Sequence, residues 1–208
     1  MARDTGATII VAIYPLAPQG TAATVVAQTA DLISYEIDQR GAENVSVYGD
    51  SAGGGLALAA VQELVRRGDP VPGRMVLISP WLDVSMSDPA SQTIDDPILN
   101  YAELQRFGLL WASDLDPADP RVSPLFGSLE GLPPTAVYSG SLDLLSPDTL
   151  RLRERALAEG ADITFVLRKG EPHVWPTAFT FLVPEALAVR PDIYQQLGIG
   201  SEALLDSA

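Results

Sequence analysis

The sequence predicts an α/β domain built on a mostly parallel sheet. Short β-branched runs alternate with longer helical patterns, and hairpin turn signals between the runs are few. The chain has 208 residues, 47% of them hydrophobic and 19% charged, enough apolar material to bury a core and too little charge for a disordered chain. This length suits a single domain spanning residues 1–208.

The elements follow in chain order. Thr8–Tyr14, rich in Ile and Val, reads as a buried strand. Thr21–Gln39 reads as a helix closed by Gly41. Val45–Tyr48 is a short strand that runs straight into Gly49. Leu56–Arg67 is an Ala/Leu-rich helix ending at Gly68. Met75–Ile78 is a buried strand stopped by Ser79-Pro80. Thr135–Tyr138 is a further strand, Thr149–Glu159 a helix ending at Gly160, and Ile163–Leu167 the last strand. A final helical stretch, Leu182–Leu197, is expected to break near Pro191. Residues 81–134 interrupt the rhythm. They are rich in Pro and Asp, with one helical patch at Tyr101–Ala112, and read as an insertion over the carboxyl ends of the strands, where such folds bind ligands. The tail 198–208 is expected to be mobile.

Composition excludes several functions. Thirteen Lys and Arg against 27 Asp and Glu leave a net charge of −14, the wrong sign for nucleic acid or an anionic lipid surface. No cysteine means no disulfide, thiolate nucleophile or thiolate metal site, and a single histidine, His173, excludes a multi-histidine site. No metal or cofactor is expected. The opening Met1–Gly6 carries an acid where a signal peptide wants basic charge, and the apolar run after it is too short to span a bilayer. A soluble, cytoplasmic chain is the expectation, with the N-terminus open to question.

Gly49-Asp50-Ser51-Ala52-Gly53 is a G-x-S-x-G motif placed between a strand and a helix. A nucleophilic serine needs such a tight turn, so that its Oγ protrudes toward substrate and base. Glycines on either side let neighbouring segments approach. The helix behind Ser51 aims free N–H groups at the site, with Ala52 N–H as one oxyanion donor. The competing reading is a Gly-rich strand-to-helix turn with an incidental serine. A phosphate loop fits poorly, because Leu56-Ala57-Leu58 stands where a Lys is needed.

His173 sits in a loop after the last strand and is the one imidazole able to serve as base. The orienting acid is expected after the preceding strand, where Asp143 stands, giving the order Ser51, Asp143, His173. Asp148 is the rival, with helix N-terminal electrostatics as its plainer role. Glu171 reads as a solvated loop acid.

With these residues in place the chain resembles the hormone-sensitive-lipase family of α/β-hydrolases. The resemblance rests on Tyr14-Pro15-Leu16-Ala17-Pro18, the elbow Gly49–Gly54, Ser79-Pro80-Trp81-Leu82-Asp83, Asp96-Pro97-Ile98-Leu99 and Asp119–Leu125. Gly131–Thr135, Asp143-Leu144-Leu145 and His173 complete it, from Gly6 to Ala188. It implies an α/β-hydrolase fold with helices on both faces of the sheet, and cleavage of carboxylic esters or lipids. Pro15 and Gln19 depart from the family's Y-R-L-A-P-E. The larger departure is the H-G-G-G segment that supplies the rest of the family's oxyanion hole, which has no counterpart here. The chain therefore reads as N-terminally truncated, with a strand missing between Thr8–Tyr14 and Val45–Tyr48.

The expected function is a serine hydrolase that cleaves short- to medium-chain acyl esters or lipids through an acyl-enzyme. Asp50, Trp81, Leu99 and Trp111 are the candidates for substrate contact, although for any one of the apolar three packing of the insertion against the sheet is the stronger reading. The alternative is a catalytically impaired fragment or a non-catalytic binding subunit, because removing one oxyanion donor already costs about 10²–10³ in rate. An amidase or peptidase shares the same constellation. The candidate partners are the ester or lipid itself, a second copy of the chain, or the missing N-terminal segment.

Overall fold

The computed structural model describes residues 1–178 and 184–199. Its core is a four-stranded sheet in the order β1-β2-β3-β4, with every neighbouring pair parallel. The strands are β1 (Ser46–Asp50), β2 (Arg74–Ile78), β3 (Thr135–Gly140) and β4 (Ile163–Arg168). The helices are α1 (Ala2–Thr5), α2 (Ala22–Arg40), α3 (Ala52–Arg67), α4 (Tyr101–Ala112), α5 (Ser146–Glu159), α6 (Trp175–Ala178) and α7 (Pro184–Gln196).

Strand alternation divides the core between two faces. Met75 and Leu77 of β2 and Val137 of β3 point to one side, against Ile33 of α2, Leu58 and Leu64 of α3 and Leu152 of α5. Val76, Ile78, Ala136 and Tyr138 point to the other, against Trp175 of α6 and Val189, Ile193 and Tyr194 of α7. A parallel sheet covered on both faces needs such continuous apolar runs. The Tyr138 hydroxyl donates to Asp192 Oδ2 at 2.6 Å and ties α7 to the sheet.

Three expectations are corrected. Thr8–Tyr14 is not a strand: it has no ladder partner among the described residues, and Val11 and Ile13 are 76% and 97% exposed. A strand needs a neighbour for its N–H and C=O groups. Here a cleft of about 830 Å³ separates this segment and α2 from the outer edge of β1. Pro191 does not break α7, which runs unbroken from Pro184 to Gln196. The carbonyl that Pro191 leaves without its helical donor belongs to the exposed Leu187, while Val189, Ile193 and Tyr194 hold the opposite face on the sheet. Helix α3 begins at Ala52, four residues before the expected start, because Gly53-Gly54-Gly55 hides the helix from a propensity reading. Of the expected last helix, residues 182–183 lie outside the described residues. So do residues 200–208 of the tail, whereas Gly198 and Ile199 bond back to Gln195 and Tyr194.

Candidate active site

The turn between β1 and α3 carries Ser51 at φ 54°, ψ −124°, a conformation that a residue with a Cβ rarely adopts. Its surroundings enforce it. Ser51 N–H donates to Ile78 O at 2.9 Å, and Trp81 N–H donates to Ser51 O at 2.9 Å. The glycines play unequal parts. A Cβ on Gly49 would meet Gly53 O at 2.3 Å, and one on Gly55 would meet Trp81 O at 2.2 Å. A Cβ on Gly53 would meet nothing within 4 Å, since that residue faces the open cleft. Close approach thus explains Gly49 and Gly55 but not Gly53.

Ser51 Oγ lies 2.9 Å from His173 Nε2. On the far side of the ring, Nδ1 lies 3.1 Å from Asp143 Oδ2. That separation suits a hydrogen bond, but the N–H is angled off the oxygen, so neither atom has a well-aligned partner. Both side chains are buried. Among the described residues, the ring's polar neighbours are Ser51 Oγ on one side and Asp143 Oδ2 on the other. Asp143 is itself fixed by the Leu145 N–H, which donates to its Oδ1 at 2.9 Å. A hydroxyl within reach of an imidazole nitrogen, with a buried carboxylate behind the ring, can transfer a proton and act as a nucleophile.

Asp148 does not face His173. Its Oδ1 accepts from Arg151 Nη1 at 2.7 Å, and the same guanidinium reaches Asp83 Oδ2 at 3.2 Å. Burial pushes the Asp148 carboxyl up to about 7; Arg151 opposes the shift, and the charges of Asp83 and Asp88 reinforce it. Asp83 resists burial differently. Hydrogen bonds from Ser85, Ser87 and Arg151 outweigh its desolvation and hold it below the ordinary carboxylate value.

Ala52 N–H opens α3 and has no acceptor among the described residues, so a helix N-terminal donor is free beside Ser51. Asp50 is exposed and lines the cleft with Gly53 and Tyr14. Trp81, Leu99 and Trp111 are outside that lining. Trp111 packs on Val25, Val26, Leu56 and Ala59; Leu99 packs on Met86, Leu104, Leu144 and Leu145; Trp81 bridges that cluster and the one around Val84. Each keeps part of its surface open.

Two polar ties at the site were not foreseen. Asp96 Oδ2 accepts the Leu144 N–H at 2.8 Å and joins the 81–134 segment to the Asp143 turn. Ser79 Oγ accepts the Val174 N–H at 3.0 Å, one residue past His173. Both residues stand in the segments Asp96–Leu99 and Ser79–Asp83, which were legible as motifs, but a partner 48 or 95 positions away is not.

Residues 1–177 match a family model described as alpha/beta hydrolase fold. The chain is 48% identical over 201 residues to a triacylglycerol lipase of Mycobacterium tuberculosis, covering 96% of this chain and 41% of the relative. It is 32% identical over 200 residues to an esterase of Acinetobacter venetianus, covering 93% and 65%. Among solved structures, an esterase/lipase from an uncultured bacterium superposes with a TM-score of 0.84 at 28% identity, covering 95% of this chain and 68% of the other. An esterase from the bacterial hormone-sensitive lipase family gives 0.80 at 30% identity, covering 89% and 64%. The fold and the matches define the class: this chain is an α/β-hydrolase. Within that class it belongs to the esterase and lipase family of hormone-sensitive-lipase type. It spans less than two thirds of the length of these two curated relatives.

Proposed function

We propose that the chain is a serine hydrolase acting on carboxylic esters of short to medium acyl length, or on lipids, through an acyl-enzyme. The observation that carries the reading is the 2.9 Å approach of Ser51 Oγ to His173 Nε2, with Asp143 3.1 Å behind the ring. Ser51 Oγ attacks the ester carbonyl while His173 takes its proton. The carbonyl oxygen becomes an oxyanion, stabilised by the Ala52 N–H at the positive end of α3. Collapse of the intermediate expels the alcohol, which receives the proton from His173. Water, deprotonated by His173, then attacks the acyl-enzyme and releases the acid. Asp143 holds the imidazole tautomer and stabilises the imidazolium. Asp50 borders the cleft beside the nucleophile, and the open parts of Trp81, Leu99 and Trp111 are the proposed acyl contacts. The substrate is a small-molecule ester or lipid, and the 81–134 segment flanks the site within one domain.

One observation favours a second reading, a chain that binds an apolar ligand or partner without turning it over. The cleft beside the elbow is open, an added Cβ on Gly53 would meet nothing there, and Ala52 is the one donor assigned to the oxyanion.

Hydrolysis of p-nitrophenyl butyrate by the purified chain separates the two. The hydrolase reading predicts turnover that falls to background in Ser51→Ala. Equal rates in parent and variant contradict it and favour the binding reading.

A further inference from the structure

Five residues other than glycine adopt a positive φ among the described residues, and three of them meet in one place: Ser51 at 54°, Ser79 at 45° and Val174 at 49°. A side chain with a Cβ disfavours this backbone, which persists where its surroundings over-determine it. Val174 bonds Ser79 directly, and Ser51 is bonded to the residues that flank Ser79-Pro80. The run Ile78–Trp81 grips Ser51 by both backbone groups, accepting its N–H at Ile78 O and donating to its carbonyl from Trp81 N–H, each at 2.9 Å. The residue inside that run, Ser79, donates its N–H to Tyr138 O at 2.7 Å and accepts the Val174 N–H on Oγ at 3.0 Å. Ser79 is fully buried, so its hydroxyl oxygen is shielded from bulk water and losing it leaves the Val174 N–H without its acceptor.

Among the described residues, the other backbone bonds of the His173 loop to neighbouring segments run elsewhere. Gly170 N–H donates to Ser141 Oγ at 2.9 Å, and Leu142 N–H donates to Glu171 O at 3.0 Å. Both fasten the loop to the Asp143 turn. They tie the base loop to the acid turn, and neither bond reaches the segment that holds Ser51; Val174 and Trp175 approach that segment by packing in the cluster that contains Ile78 and Tyr138. The Ser79 bond fastens the base loop to the segment that grips the serine.

We infer that Ser79 is a positioning residue for the Ser51–His173 pair, its hydroxyl oxygen holding the His173 loop at a fixed distance from the turn that carries Ser51. The inference rests on the serine-hydrolase reading for its effect on rate, but the positioning itself has a readout of its own.

The test compares Ser79→Ala, which deletes the acceptor and keeps the strained Cβ, with Ser79→Gly, which deletes the acceptor and relieves the strain. Three quantities are measured on the full chain: kcat and KM for p-nitrophenyl butyrate, the melting temperature, and the Nδ1–H proton resonance of His173. Since His173 is the only histidine, its imidazole signal needs no assignment. Both variants are expected to lose about tenfold to a hundredfold in kcat, with KM changed by less than about twofold. Both broaden the Nδ1–H resonance, and the Gly variant melts no lower than the Ala variant. A Gly variant that recovers parental kcat and resonance overturns the inference, because strain and not the hydroxyl would then matter. Parental kcat and resonance in both variants overturn it equally. If the parent does not turn over, the hydrolase reading fails and the resonance decides alone: broadening in both variants supports positioning, and an unchanged signal refutes it.

Discussion

Asp148 keeps its proton to about pH 7 in the folded chain, while its ordinary value is 3.8. The folded state therefore binds a proton that the unfolded chain releases. The stabilisation is full below the ordinary value and is lost as pH rises through 7. Asp148→Asn, which cannot ionise, is predicted to flatten that part of the stability profile, read as melting temperature against pH from 4 to 8. An unchanged slope would place its origin in another group. At this scale the sequence was partly legible. Ser51 stands out by its motif and His173 by being the only imidazole, and the structure brings Oγ and Nε2 within 2.9 Å. Asp143 Oδ2 lies 3.1 Å from His173 Nδ1, and Asp148 is held by an arginine instead. Arg151 captures Asp148, and no local pattern announces that. In sequence Ser79 marks the stop of a strand, and its bond to Val174 emerges only in the fold.

The β1–α3 elbow is an element whose glycines can be told apart by space. Gly49→Ala drives a Cβ against the Gly53 carbonyl at 2.3 Å and is predicted to destabilise the fold by about 1–3 kcal/mol, measured by denaturant unfolding. Gly53→Ala meets open space inside a helix. It is predicted to hold or raise stability by up to about 1 kcal/mol, since Ala is the better helix former. Equal losses in both would contradict the packing described for the turn. At the start of α4 the Asn100 side chain accepts the Glu103 N–H at 3.1 Å, so Asn100→Ala is predicted to cost about 1 kcal/mol by the same measurement. Elements were legible where period and turn chemistry agreed, as in α4 and the strands β2 to β4. The segment Thr8–Tyr14 shows the limit. Its composition is that of a buried strand, but pairing depends on a neighbour that composition cannot supply.

At the level of the whole molecule, the outer edge of β1 faces the cleft, and beside it the 9–13 segment exposes Ile9, Ile10, Val11 and Ile13. An open sheet edge with apolar surface close by favours association. Sedimentation velocity is predicted to show concentration-dependent association that weakens in Val11→Lys/Ile13→Lys. A monomer at all concentrations would mean that this surface is not adhesive. The net charge of −14 opposes such contacts at low salt, so association should strengthen as salt is added. No helix among the described residues is long and apolar enough to cross a membrane. The family and the parallel sheet were legible in the order of motifs and strands. The gap beside β1 appeared in the sequence only through what the family resemblance led one to expect there. The proposed hydrolysis requires that His173 activate Ser51 as a nucleophile. Its most direct test is the mass of the chain after incubation with diethyl p-nitrophenyl phosphate, which transfers a diethylphosphoryl group to an activated serine oxygen and releases p-nitrophenolate. One adduct per chain is expected, mapped to the Ser51 peptide and abolished in His173→Ala. An unmodified chain, or an adduct that forms equally fast without His173, would contradict it.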